Sequence, residues 1–179
     1  MLTCRENRFA AARRRTKREG FTLVEVLVAV AIVGIAVSAL MVTIQSVTRA
    51  NGAGQELTQA VYLAQAVRER VVLLPFRDPD PGDADNPPGP DGSDPQFFVD
   101  DLDDLMDVTY SPPRNAAGAA LLGMNDWAQQ IVLEWKDPES LTTTVAPGNS
   151  DIIRVTVTIR RDGRAVLATG WLVARRKPV

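Results

Sequence analysis

A chain of 179 residues has room for one modest domain and an appendage, and its formal net charge of -2 conceals an uneven distribution. It contains no histidine and a single cysteine, Cys4, which excludes imidazole chemistry and any disulfide within the chain. It has no phosphate-binding loop and no GxSxG elbow, and its paired carboxylates lie in loop sequence with no apolar pocket to retune them, so no catalytic residue is assigned and the chain reads as a non-enzyme.

The first 20 residues, MLTCRENRFAAARRRTKREG, carry Arg5, Arg8, Arg13, Arg14, Arg15, Lys17 and Arg18 against Glu6 and Glu19. Seven of the 20 basic and two of the 22 acidic residues lie here, which leaves the chain after Gly20 about seven charges negative. A basic block beside an apolar span holds its own side in the cytoplasm and sends the remainder outward. Topology thus accounts for these arginines without nucleic acid, and the acidic remainder has no attraction for nucleic acid or anionic lipid.

From Val26 to Ile44 no charge occurs, and Gly34, Ser38 and Thr43 alone interrupt the apolar run. A helix from Phe21 to Ile44 extends roughly 36 Å, enough to span a bilayer. One acid, Glu25, stands at its beginning. A secretory signal would have a shorter apolar core with a small-residue cleavage site at its far end, which Ser38 and Ala39 imitate; here the polar junction GFTLVE lies at the near end instead.

Gly20, Phe21, Thr22, Leu23 and Glu25, followed by an unbroken apolar helix, resemble the N-terminus of type IV pilins and of the pseudopilins of type II secretion. The resemblance implies that a membrane aspartyl peptidase, the prepilin peptidase, cuts between Gly20 and Phe21 on the cytoplasmic side. It further implies that Phe21 becomes the N-methylated first residue, that the leader 1–20 is lost and that the apolar helix is kept. Lys17 and Arg18 suit the basic approach to such a site. Thr22 and Glu25 are then assembly residues, and residues 21–44 are a transmembrane helix that becomes filament core. The implied partners are other pilins or pseudopilins, the peptidase, an inner-membrane assembly platform and, before assembly, membrane lipid. Major subunits of the family commonly carry a proline within the apolar half; the matching position here is Val42, which points to a minor subunit. The segment AVYLAQAVRER, residues 60–70, also resembles minor pseudopilins and pilus accessory subunits.

Glu25 has a physical role on this reading. A carboxylate in hydrocarbon costs roughly 2.5–3.5 kcal/mol on insertion scales, so it requires a partner. Cleavage creates one, the α-amine of Phe21, whose class titrates near pH 8 and is cationic at neutrality. In a staggered bundle of helices the amine of one subunit meets Glu25 of the next and sets their register. The competing reading places Glu25 at the membrane interface, or pairs it with the N-terminus of its own helix.

Past Ile44 the chain becomes polar but keeps a helical rhythm through Val47, Ala50, Gly54, Leu57, Val61, Ala64, Val67, Val71 and Leu74. A single helix from about Phe21 to about Leu74 is predicted, its second half, 45–74, amphipathic and in need of a partner surface. Gly52 and Gly54 mark its softest point. Residues 75–95, rich in Pro, Gly and Asp, read as an exposed connector.

In the outer domain, 96–179, Asp100, Asp101, Asp103, Asp104 and Asp107 lack the regular D-x-D-x-D-G loop and its closing glutamate. Calcium is a conceivable ligand, and some relatives in the secretion family bind it, but the preferred expectation is a solvated acidic surface with no metal and no cofactor. Downstream, Ile131, Leu133 and Trp135 alternate with polar or outward residues, as do Ile153, Val155, Val157 and Ile159, and Asp162-Gly163 turns the chain into RAVLATGWLVARR. Trp127, Trp135 and Trp171 are expected in the core or at its rim. The fold class is therefore α+β: a long N-terminal helix packed on a small antiparallel sheet of about three to four strands, which is pilin-like.

The function expected is that of a minor pilin or pseudopilin, a structural subunit of a type II secretion pseudopilus or a type IV pilus. It would be single-pass in the inner membrane, N-terminus cytoplasmic and C-terminal domain periplasmic, and would then enter the filament. The alternative is an uncleaved, single-span, membrane-anchored periplasmic binding protein whose acidic loop captures calcium or a partner.

Overall fold

The computed structural model describes residues 20–78, 88–90 and 99–176. The leader 1–19, most of the connector (79–87 and 91–98) and residues 177–179 lie outside the described residues. The chain is α+β, with one long helix, α1 (Leu23–Leu73), a short 3-10 turn (Asp103–Leu105) and four strands, β1 (Thr109–Tyr110), β2 (Trp127–Trp135), β3 (Ile152–Arg161) and β4 (Arg164–Ala174). The strands form an antiparallel sheet in the order β1-β2-β3-β4. Two compact units divide between Thr48 and Arg49.

In the first unit every described residue is exposed. Three hydroxyls of this stem are satisfied within the helix itself: Ser38 Oγ donates to the Gly34 carbonyl at 2.8 Å, Thr43 Oγ1 to that of Ala39 at 2.9 Å and Thr48 Oγ1 to that of Ile44 at 2.9 Å. Such back-bonding to the preceding turn removes the penalty of a lone hydroxyl in hydrocarbon. The helix continues unbroken through Ala50–Gly54, the expected soft point, where Thr58 Oγ1 donates to the Gly54 carbonyl.

The second unit holds the core. On β2 the side chains of Trp127, Gln129, Ile131, Leu133 and Trp135 are buried in strict alternation. On β3 the buried set is Ile153, Val155, Val157 and Ile159. The register sets Ile131 opposite Val157, Leu133 opposite Val155 and Trp135 opposite Ile153, so both apolar sets occupy one face. From α1 this core receives Ala60, Leu63, Ala64, Val67 and Val71. The stripe is rotated from the one read in the sequence: Leu57 and Val61 are 48% and 39% exposed, while Ala60 and Leu63 are buried. Residues 57–64 offer two apolar faces, and the small Ala60 lies on the one that the core buries. Burial of each large aliphatic contributes about 1.5–3 kcal/mol.

The β3–β4 hairpin turns on Asp162 and Gly163, with φ of 48° and 76°. Two consecutive positive φ values match the right-handed twist of the strands, which is why Asp-Gly serves here. The turn is tied to the helix by an ion pair between Arg164 and Glu56.

The sheet has four strands, within the three to four expected; β1, of two residues, is too short to show a period. One sequence expectation is corrected. The aspartates of residues 100–107 do not form a solvated surface: Asp101, Asp103 and Asp104 are 2%, 8% and 1% exposed. Of the five, Asp107 alone is exposed.

Candidate processing and assembly site

Gly20, Phe21 and Thr22 precede the helix in non-helical, fully exposed backbone, and α1 opens at Leu23. Exposed irregular chain is the form that a peptidase can accept, so the Gly20–Phe21 bond lies on the accessible side of the helix boundary. Phe21 is 82% exposed.

Thr22 is the cap that fixes the boundary. Its carbonyl accepts from the amide of Val26 at 3.2 Å, the first intrahelical bond, and its Oγ1 accepts from the amide of Glu25 at 3.3 Å. T-L-V-E thus has the spacing of a capping box, with Thr at the cap and Glu three positions on. The signature is visible in the sequence. Glu25 falls in the first turn, where the unpaired amides and the helix dipole favour an anion by about 0.3–1 kcal/mol. Its own helix therefore gives it partial compensation, smaller than the cost of a carboxylate in hydrocarbon. After Glu25 the stem presents only neutral side chains as far as Thr48, and its apolar window is long enough to cross a membrane with none of its length buried.

Residues 15–41 match the family model described as the prokaryotic N-terminal methylation motif. The chain carries a prepilin-type N-terminus. No curated protein and no solved structure matches the chain. The prepilin-type signature spans Lys17, Gly20, Phe21, Thr22 and Glu25 together with the apolar stem as far as Met41. It implies a prepilin peptidase and other pilins as partners in general.

The second cluster of interest lies beyond the prepilin-type motif. Asp101 Oδ1 accepts from the amides of Asp103 and Asp104 at 2.9 and 3.2 Å, while Asp104 Oδ2 accepts from those of Asp100 and Asp101 at 2.9 and 3.3 Å. Two aspartates three apart therefore cap the 3-10 turn reciprocally, which is what draws them into the interior. Asp101, Asp103 and Asp104 each offer an oxygen within 4.8 Å of the others, so these are the described carboxylates able to converge on a hard cation. Burial raises the Asp101 carboxyl above the usual carboxylate range, opposed by the hydrogen bonds it receives. Asp100 is also raised, by burial first and then by the neighbouring Asp104 charge.

Gln129, which the sequence reading did not single out, is central. Fully buried on β2, it donates through Nε2 to the Leu63 carbonyl of α1 at 2.9 Å and to the Arg114 carbonyl at 3.1 Å, and its Oε1 accepts from the Arg114 amide at 2.7 Å. A polar residue on the apolar face of a strand is the signal that marks it.

Proposed function

We propose that the protein is a minor pilin or pseudopilin, which is cut between Gly20 and Phe21, methylated on Phe21 and assembled through its N-terminal helix into a type IV pilus or a type II secretion pseudopilus. One observation carries this reading: a prepilin-type junction opens directly onto a capped helix whose apolar stem is exposed throughout. An exposed stem of this kind needs lipid or other helices to cover it. It resides first in the inner membrane, with the basic leader cytoplasmic and the outer domain periplasmic, served by an assembly platform. In the assembled state the freed amine of Phe21 meets Glu25 of a neighbouring subunit. The absence of proline at Val42 supports a minor position, at an end of the filament or sparsely within it.

The buried acidic turn favours one other reading, an uncleaved anchored protein that binds calcium through Asp101, Asp103 and Asp104. The two separate on Glu25→Ala. In cells producing the filament, the variant is expected to be processed normally and to stay in the membrane, but to be depleted at least several-fold from sheared filaments. A variant that enters filaments as the parent does would contradict the pairing role; a parent never found with filament subunits, by co-isolation or crosslinking through the stem, would contradict the assignment.

A further inference from the structure

A cavity of about 680 Å³ opens at the C-terminal end of α1, between that end, the turn that follows and the last residues of β4. Its walls come from three segments remote in sequence, so the residues meeting there do so only in the folded chain. Arg68, Arg77, Arg175 and Arg176 all line it, around an apolar surface that includes Phe76 and Trp171. Arg77 and Arg175 share one oxygen of Asp151, at 3.7 and 3.6 Å. Arg68 and Arg176 have no ion pair among the described residues. Among the described residues the lining carries four guanidiniums and the carboxylate of Asp78, with Asp151 beside Arg77 and Arg175. The indole N–H of Trp171 is buried without a partner among the described residues.

A solvated basic surface needs neither concavity nor aromatic walls. This site has both, at a size within the roughly 300–1,000 Å³ of small-molecule pockets. Guanidiniums recognise planar or tetrahedral oxyanions through paired N–H groups, and an indole face accepts the body of a ring. We propose that this cavity binds a small organic anion of about sugar size bearing phosphate, sulfate or carboxylate. The site uses no residue of the N-terminal stem, so it stands or falls separately from the filament reading.

The test uses the full chain in nonionic detergent micelles, titrated with glucose 6-phosphate, citrate, inorganic phosphate and glucose, and followed by calorimetry and tryptophan fluorescence. Glucose 6-phosphate or citrate is expected to bind saturably, more tightly than inorganic phosphate, while glucose does not bind; added salt weakens the interaction. The double variant Arg68→Gln, Arg176→Gln alters two exposed side chains and is expected to keep the parental melting temperature while losing roughly tenfold or more in affinity. Trp171→Phe is expected to abolish most of the fluorescence change. The proposal is overturned if neither organic anion binds saturably, if glucose binds as well as its phosphate, or if the double arginine variant binds as the parent does. Inorganic phosphate binding as tightly as glucose 6-phosphate would overturn recognition of the organic body.

Discussion

Gln129 and Asp101 show how single polar side chains shape this molecule from inside. Gln129 joins α1, the segment at Arg114 and β2 through three hydrogen bonds, all buried or half-buried. Replacing it with leucine leaves the Arg114 carbonyl and amide without this partner and takes from the Leu63 carbonyl, still bonded within its helix, a second donor, so Gln129→Leu is expected to lower stability by about 2–4 kcal/mol, measured by urea denaturation in micelles. For Asp101, with its folded-state pKa raised, the folded chain holds the proton more tightly than the unfolded chain. Its contribution is therefore fully present below about pH 4, the ordinary carboxyl value, and is lost as pH rises through the raised one. Asp100, raised for the same first cause, acts in the same direction, and Asp103 and Asp104 are the other charges packed beside it. Asp101→Asn keeps an oxygen to accept the two amide bonds and removes the charge. It is expected to melt at or above the parental temperature at pH 7 and to flatten the pH dependence between pH 4 and 7. A clear loss of stability at pH 7 in chelator-free buffer, absent when the parent is treated with chelator, would instead mark the charged form as held by a cation.

Among the elements, β2 and β3 were legible because strict alternation of apolar residues has no competing helical reading, and β4 because Asp162-Gly163 named the turn that leads into it. Gly163 has φ of 76° and open space around the position of a Cβ, so Gly163→Ala is expected to cost about 1 kcal/mol, from backbone conformation alone, in the thermal unfolding of the outer domain. The length of α1 was equally legible, since no proline interrupts it. Its buried stripe was legible at Ala64, Val67 and Val71 but not in the turn before them. Leu57 and Val61 satisfy the helical period as well as Ala60 and Leu63 do, and the choice is made by the shape of the surface that covers them. The acidic turn was misread for a related reason: consecutive aspartates look solvated until backbone amides are seen to occupy their oxygens. The Thr22 cap is legible in the pattern T-x-x-E at the junction.

At the scale of the molecule, the two units meet opposite demands. The part from Arg49 onward buries its apolar surface in a core of its own, whereas the described residues before it bury nothing. Hydrophobic stabilisation of the stem must come from outside the chain, which the proposed function assigns first to lipid and then to like helices. A Thr22→Ala variant, which loses the helix cap at a cost of about 1 kcal/mol, should leave the outer domain's melting temperature unchanged, because the two regions do not share a core. The whole account rests on the fate of the Gly20–Phe21 bond, and mass spectrometry of the N-terminus of protein isolated from its native cells reads that fate directly. The expected peptide begins at Phe21 and carries a methylated α-amine; a functional protein that retains Arg13–Arg18 and Gly20 would contradict it.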